Sequence, residues 1–140
     1  MQLTPDFHFW GDCAQAIDLY CCAFDAQIVN LLRYRDARDE HFVPQPGQED
    51  WIYHAELMLA GKLRVMLSDE ETPPPAATVN RVSMVVTLDT AQAVQQAAET
   101  LGEGGAIRAP LCSTTYASAF VSLVDRFGIR WEIMTEQTAR

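Results

Sequence analysis

At 140 residues, 49% of them apolar and with a mean hydropathy near zero, the chain is long enough for one packed core and too short for a separate cofactor domain. A formal net charge of −9, with ten Lys and Arg residues that nowhere form a block, excludes a nucleic-acid footprint. No apolar run approaches the roughly 20 residues of a membrane span, and the opening Met1-Gln2-Leu3-Thr4-Pro5-Asp6 lacks the basic and apolar regions of a leader, so the expected location is the cytoplasm.

The first expected element is a half-buried strand over Thr4–Trp10, where Phe7 and Phe9 alternate with Asp6 and His8. Gly11-Asp12 breaks it, and Asp12 is the expected N-cap of a helix over Cys13–Ala23. Gln27–Tyr34 reads as a second strand. Arg35–Asp50, polar and broken by Pro44, Pro46 and Gly47, reads as a long loop of the kind that often binds ligands. Trp51–Ala60 is a third strand, with Tyr53, Ala55, Leu57 and Leu59 on one face and His54, Glu56 and Met58 on the other. Gly61-Lys62 turns the chain into a fourth strand, Leu63–Ser68.

A Pro-rich stretch through Pro73-Pro74-Pro75 follows. Beyond it come a strand at Arg81–Leu88 and a helix capped at Asp89-Thr90 that runs to Leu101. Strands near Ile107–Cys112, Phe120–Asp125 and Ile129–Thr135 complete the order. Cys13, Cys21, Cys22 and Cys112 include no C-x-x-C pair and read as small buried hydrophobes rather than a disulfide framework.

The chain repeats itself. A-Q-A-I at Ala14–Ile17 returns as A-Q-A-V at Ala91–Val94, and L-R-V-M-L at Leu63–Leu67 returns as I-R-W-E-I at Ile129–Ile133. The echoes keep their order at offsets of 77 and 66 residues, so the connecting loops differ in length. The expectation is an α+β fold of two β-α-β-β-β modules within one domain, 1–69 and 79–136, joined by a linker at 70–78, with helices outside.

Pro5–Tyr20 (P-D-F-H-F-W-G-D-C-A-Q-A-I-D-L-Y), His54–Leu57, Met66–Asp69 and Val124–Trp131 (V-D-R-F-G-I-R-W) occur in an order that resembles the vicinal oxygen chelate superfamily. That superfamily includes glyoxalase I, extradiol dioxygenases and the bleomycin- and fosfomycin-resistance proteins, and the likeness runs most to its PhnB-like branch. The resemblance implies curled mixed sheets, paired cups around a small-molecule site, and a homodimer. It also implies a divalent metal held by one ligand from the first strand and one from the last strand of each copy.

On the last strands those positions are Met66 and Glu132; on the first strands they are Pro5 or Asp6, and Val82 or Ser83. A thioether is a poor partner for hard ions, so no cofactor is expected, with Glu132, Asp6 and His8 the residual donors for a divalent metal. His8, His54 and Glu56 are the catalytic candidates as acid–base groups, and structural hydrogen bonding is the plain alternative for each. Arg64 and Arg130, equivalent in the two copies, are candidates for holding an anionic ligand or for salt bridges. Tyr116 and Phe120 are candidate pocket residues. The branch has carried a ubiquinone-methyltransferase label, yet Gly104-Gly105 follows a helix instead of opening one, and no nucleotide-binding turn is present.

Three functions remain open: metal-free binding of a small molecule, a metal-dependent or acid–base enzyme acting on a small oxygenated substrate, and a dimeric scaffold with a filled cavity. Neither nucleic acid nor membrane is an expected partner.

Overall fold

The structure is a computed structural model that describes residues 1–40, 42–73 and 81–136. It divides into two compact units, Met1–Ala76 and Ala77–Arg140, each with one helix and one open four-stranded mixed sheet. The fold is α+β. Positions 74–78 of the Pro-rich linker, and positions 79 and 80, lie outside the described residues.

In the first unit, β1 (Asp6–Phe9), α1 (Cys13–Phe24), β2 (Gln27–Arg33), β3 (Ile52–Leu59) and β4 (Leu63–Asp69) form a sheet of order β1-β4-β3-β2. β1 runs parallel to β4, and the other pairs are antiparallel. The second unit repeats this order as β5-β8-β7-β6, built from β5 (Met84–Leu88), α2 (Ala91–Gly102), β6 (Ala106–Cys112), β7 (Phe120–Val124) and β8 (Arg130–Thr135). Strand β5 begins at Met84, so Val82 and Ser83 precede it and Val85 pairs with Glu132 as Asp6 pairs with Met66. That pairing corrects the expected first-strand positions of the second copy. The register of a short edge strand is weakly marked in sequence, because Val82, Val85 and Val86 suit either face.

Strand alternation sorts the side chains. Phe7, Phe9, Ala55, Leu57 and Leu67 are buried on the α1 side of the first sheet, and Val121, Leu123, Trp131 and Ile133 on the α2 side of the second. Each helix turns one stripe inward, with Val94, Ala97, Ala98 and Leu101 of α2 at helical spacing and Tyr20 of α1 edge-on to Phe7 at 6.0 Å. Burial of each large aliphatic side chain here contributes about 1.5–3 kcal/mol.

The helix starts differ. Thr90 caps α2 as expected, its Oγ1 accepting from Ala93 N at 3.1 Å. Asp12 makes no such bond at α1; its Oδ1 accepts from Trp10 N instead. The acceptor at α1 comes from the far end of the unit: Asp69 Oδ1 accepts from Gly11 N (2.7 Å) and Cys13 N (3.1 Å), and its Oδ2 from Ile52 N (2.8 Å). Tyr34 Oη donates to the Asp69 carbonyl at 2.7 Å. One buried carboxylate thus ties the end of β4 to the starts of α1 and β3. Burial nevertheless pushes its pKa above the ordinary value, outweighing the three backbone bonds that lower it. Gly11 has φ +84°, and a Cβ there would lie 2.8 Å from Trp51 Cζ2, so the turn admits only glycine without displacing that ring.

The long loop after β2 opens with a 3-10 turn, Tyr34–Asp36, and is tied at its base. Tyr34 N donates to Trp51 O, Arg35 N to Glu49 O, and Arg35 pairs with Asp50. Phe42 packs on Tyr34 and Tyr53, with ring centroids 4.8 and 5.0 Å away. All four cysteines are free. Cys13 is buried and its thiol is pushed well above the usual range by burial, while Cys22 and Cys112 are exposed. The expectation of buried thiols therefore fails for those two, because Cys22 lies on the outer side of α1 and Cys112 ends an edge strand.

Candidate functional site

The face of each sheet opposite its helix carries the polar groups. In the first unit, Asn30, Glu56, Met66 and Asp6 form one row across β2, β3, β4 and β1, since Asn30 pairs with Glu56, Glu56 with Met66, and Met66 with Asp6. Glu56 is the hub. Its side chain is only 15% exposed and lies 3.4 Å from Arg64 Nη1, 3.3 Å from Asn30 Nδ2 and 3.9 Å from His54 Nε2. His8 sits in a separate cluster, with Nδ1 2.5 Å from Glu70 and 3.4 Å from Ser68 Oγ, and Nε2 3.7 Å from Asp6. β4 lies between β1 and β3, so His8 and His54 are about two strand spacings, roughly 10 Å, apart. The three catalytic candidates therefore fall into two clusters, one around His8 and one around His54 and Glu56.

In the second unit the same face carries Arg130, Glu132, Ser122 and Phe120. Arg130 Nη2 and Nε donate to Glu132 Oε1 at 2.9 and 3.2 Å. Arg64 and Arg130 thus occupy equivalent places and each faces a carboxylate, Glu56 and Glu132 respectively. Phe120 pairs with Met134 and meets Tyr116 edge-on at 6.2 Å, and Tyr116 remains 42% exposed. A cavity of about 280 Å³ lies on the helix side of this sheet, lined by Ala98, Ile107, Pro110, Leu111 and Val121 with Gln95 and Glu99; none of the expected ligand-binding residues lines it.

The positions where the resemblance implies metal ligands can now be read by pairing. The first unit offers Asp6 and Met66, the second Val85 and Glu132. One carboxylate per unit, a thioether and an alkyl group do not fit a hard divalent ion. Among the described residues, no group of three His, Cys, Asp or Glu side chains is placed to hold a metal.

Sequence patterns alone did not single out Ser122, which is buried and pairs with Glu132. The signal was available: extending the offset of 66 residues by one strand aligns Ser122 with Glu56, just as it aligns Glu132 with Met66. Phe42 and the triple role of Asp69 carry no comparable local mark.

The paired modules and the polar faces opposite their helices define a class, and comparison with known proteins agrees. The Glyoxalase/Bleomycin resistance protein/Dioxygenase superfamily matches residues 8–133, and the chain belongs to that superfamily. Among solved structures it is similar to protein PA1353 from Pseudomonas aeruginosa (27% identity, 99% of both chains, TM-score 0.84). It is also similar to the PhnB protein from Bacillus cereus (27% identity, 96% of this chain and 99% of that one, TM-score 0.79). The fosfomycin resistance protein FosX from Mesorhizobium loti shares the fold at 14% identity, over 97% of this chain and 92% of that one, with a TM-score of 0.60. No curated protein matches the chain significantly. No helix among the described residues is long and apolar enough to cross a membrane.

Proposed function

We propose that this chain binds a small organic molecule without the superfamily's metal. The observation that carries this reading is the donor set at the paired strand positions: Asp6 and Met66 in one unit, Val85 and Glu132 in the other, with Glu132 already engaged by Arg130. A stable site for a divalent ion wants three or four nitrogen or oxygen ligands, and each unit supplies one. What the polar faces do offer is hydrogen-bonding groups whose charges are internally paired, such as Glu56 with Arg64 and Glu132 with Arg130. Such faces suit an uncharged or weakly polar ligand better than an anion, because each guanidinium already has its carboxylate.

Elemental analysis of protein purified without tag or chelator, followed by titration with Mn²⁺, Ni²⁺ and Zn²⁺, tests this. The expected result is no saturable site, with native mass spectrometry of the same material reporting any co-purified small molecule. Binding near one ion per chain that disappears in Glu132→Ala would overturn the proposal and make a metal-dependent enzyme the leading reading. Protein lacking both metal and ligand affinity would favour a scaffold.

The homodimer implied by the resemblance is part of the same proposal. Edge strand β2 exposes Ile28, Val29 and Leu31, apolar surface that suits a second copy. Analytical ultracentrifugation reads this directly, and a monomer at micromolar concentration would remove it.

A further inference from the structure

Ser122 is 5% exposed, and its hydroxyl has no hydrogen-bond partner among the described residues. A buried hydroxyl without a partner is costly, and the rest of this unit avoids that cost: Thr135 Oγ1 meets Ser118 Oγ at 2.8 Å, and Asp125 accepts from Phe127 N, Ile129 N and Trp131 Nε1. Ser122 is therefore an exception in a well-satisfied neighbourhood. Its place in the fold gives the exception meaning. It lies on the sheet face opposite α2 and pairs across β7–β8 with Glu132. The two bonds from Arg130 to Glu132 both end on Oε1, which leaves Oε2 outside that fork.

We infer that Ser122 Oγ and Glu132 form a polar subsite for a hydroxyl or carbonyl oxygen of an uncharged organic ligand. This rests on the binding reading above and gives it a location and a ligand chemistry. Ser122 donates to or accepts from the ligand oxygen, and Glu132 Oε2 accepts from a ligand hydroxyl. The Arg130–Glu132 pair is close to neutral as a unit, so a ligand carboxylate gains no net attraction from it and meets the Glu132 charge. Because Ser122 is covered in the free protein, the ligand oxygen must displace a neighbouring side chain. Glu132 is the one suited to move, since it pairs with Ser122 across the strands and its ion-pair partner, Arg130, lies on its own strand.

The first copy cannot build the same subsite. Its equivalent of Ser122 is Glu56, whose carboxylate is taken up by Arg64, Asn30 and His54, and its equivalent of Glu132 is Met66. The two polar faces therefore differ in what they can hold, and a ligand oxygen that needs a hydroxyl partner goes to the second.

The test uses the full chain, with hydroxyacetone as the uncharged probe and glycolate as its anionic counterpart. Amide chemical shifts are followed by ¹H–¹⁵N NMR at millimolar concentrations and above. Hydroxyacetone is expected to shift the amides of β7 and β8 saturably, and glycolate to do so more weakly. In Ser122→Ala the affinity for hydroxyacetone is expected to fall by about five- to tenfold, as for one lost hydrogen bond. The thermal midpoint of that variant is expected to rise, because the unpartnered hydroxyl is gone. Lys62→Gln, in the exposed turn between β3 and β4, is expected to leave the β7–β8 response unchanged.

A lower midpoint for Ser122→Ala would show that the hydroxyl already has a structural partner, such as a buried water, and would overturn the inference. An undiminished probe response in that variant would overturn it equally. A response confined to β3 and β4 would sink this subsite while the general binding reading stands, and no response in any strand would sink both.

Discussion

The two units share one strand order, yet they place their carboxylates on different strands. In the first, Met66 sits on the last strand and Glu56 on the strand beside it; in the second, Glu132 sits on the last strand and Ser122 beside it. The arginine stays in place, Arg64 and Arg130 standing two residues before those last-strand positions. A carboxylate has in effect crossed one strand while its cationic partner stayed. What the fold holds constant is the ion pair on the polar face, and what it varies is which strand could offer a ligand. The exchange also explains why the first unit's last strand offers a thioether where a carboxylate would bind metal.

A second difference lies at the ends of those last strands. Asp69 in the first unit and Thr135 in the second occupy equivalent positions, and both accept a backbone N–H from the start of the neighbouring strand, Ile52 at β3 and Ala119 just before β7. Asp69 accepts three, from Gly11, Cys13 and Ile52. Thr135 accepts one, from Ala119, and adds a hydroxyl contact to Ser118. Asp69→Ala leaves buried donors without partners and is expected to cost about 3 kcal/mol, against about 1 kcal/mol for Thr135→Val. Chemical denaturation of the two variants measures the ratio directly. Equal losses would mean that the first unit does not depend on its buried carboxylate in the way the geometry indicates.

Protonation sharpens the same contrast. Burial raises the folded-state pKa of Asp69 above the ordinary carboxyl value. A raised carboxyl contributes stability that is fully present below the unfolded value and is lost as pH rises through the folded one. The penalty of Asp69→Asn relative to wild type is therefore expected to be larger below about pH 4 than at neutrality. Thr135→Val has no titrating group and its penalty is expected to stay flat. Denaturation of both variants at the two pH values decides it: a penalty for Asp69→Asn that grows toward neutrality would reverse the sign assigned to burial.

Much of this architecture was legible in the sequence, and the parts that were not share a cause. Alternation of Phe7 and Phe9 with Asp6 and His8, the helical spacing of Val94, Ala97, Ala98 and Leu101, and the echo of Leu63–Leu67 in Ile129–Ile133 are local signals, and each marks an element that is present. The cap of α1 differs from the expected Asp12 because its acceptor, Asp69, lies 56 residues from Cys13, beyond the reach of any local signal. The sequence places the start of β5 too early because the three valines of the five-residue stretch 82–86 carry no face preference. On the polar faces, the sequence named His8, His54, Glu56, Arg64, Arg130 and Glu132, all of which lie opposite the helices. It could not tell that β4 separates His8 from His54, or that Ser122 stands beside Glu132, because both depend on pairing across strands.

The smallest expected effect concerns the ion pairs that the two units have in common. Arg130 is 25% exposed and makes two hydrogen bonds to Glu132, whereas Arg64 is 40% exposed and meets Glu56 through one nitrogen at 3.4 Å. The more exposed pair is screened by solvent, so Arg64→Ala is expected to change stability by only a few tenths of a kcal/mol. Arg130→Ala leaves Glu132 largely withdrawn from water without its fork and is expected to cost about 1 kcal/mol. The decisive comparison is salt dependence, since the contribution of Arg64 is expected to vanish in molar salt and most of that of Arg130 to persist. If both penalties were equal and equally screened, the carboxylate's move from β8 to β3 would be energetically neutral, and the difference between the two polar faces would lie in their chemistry alone.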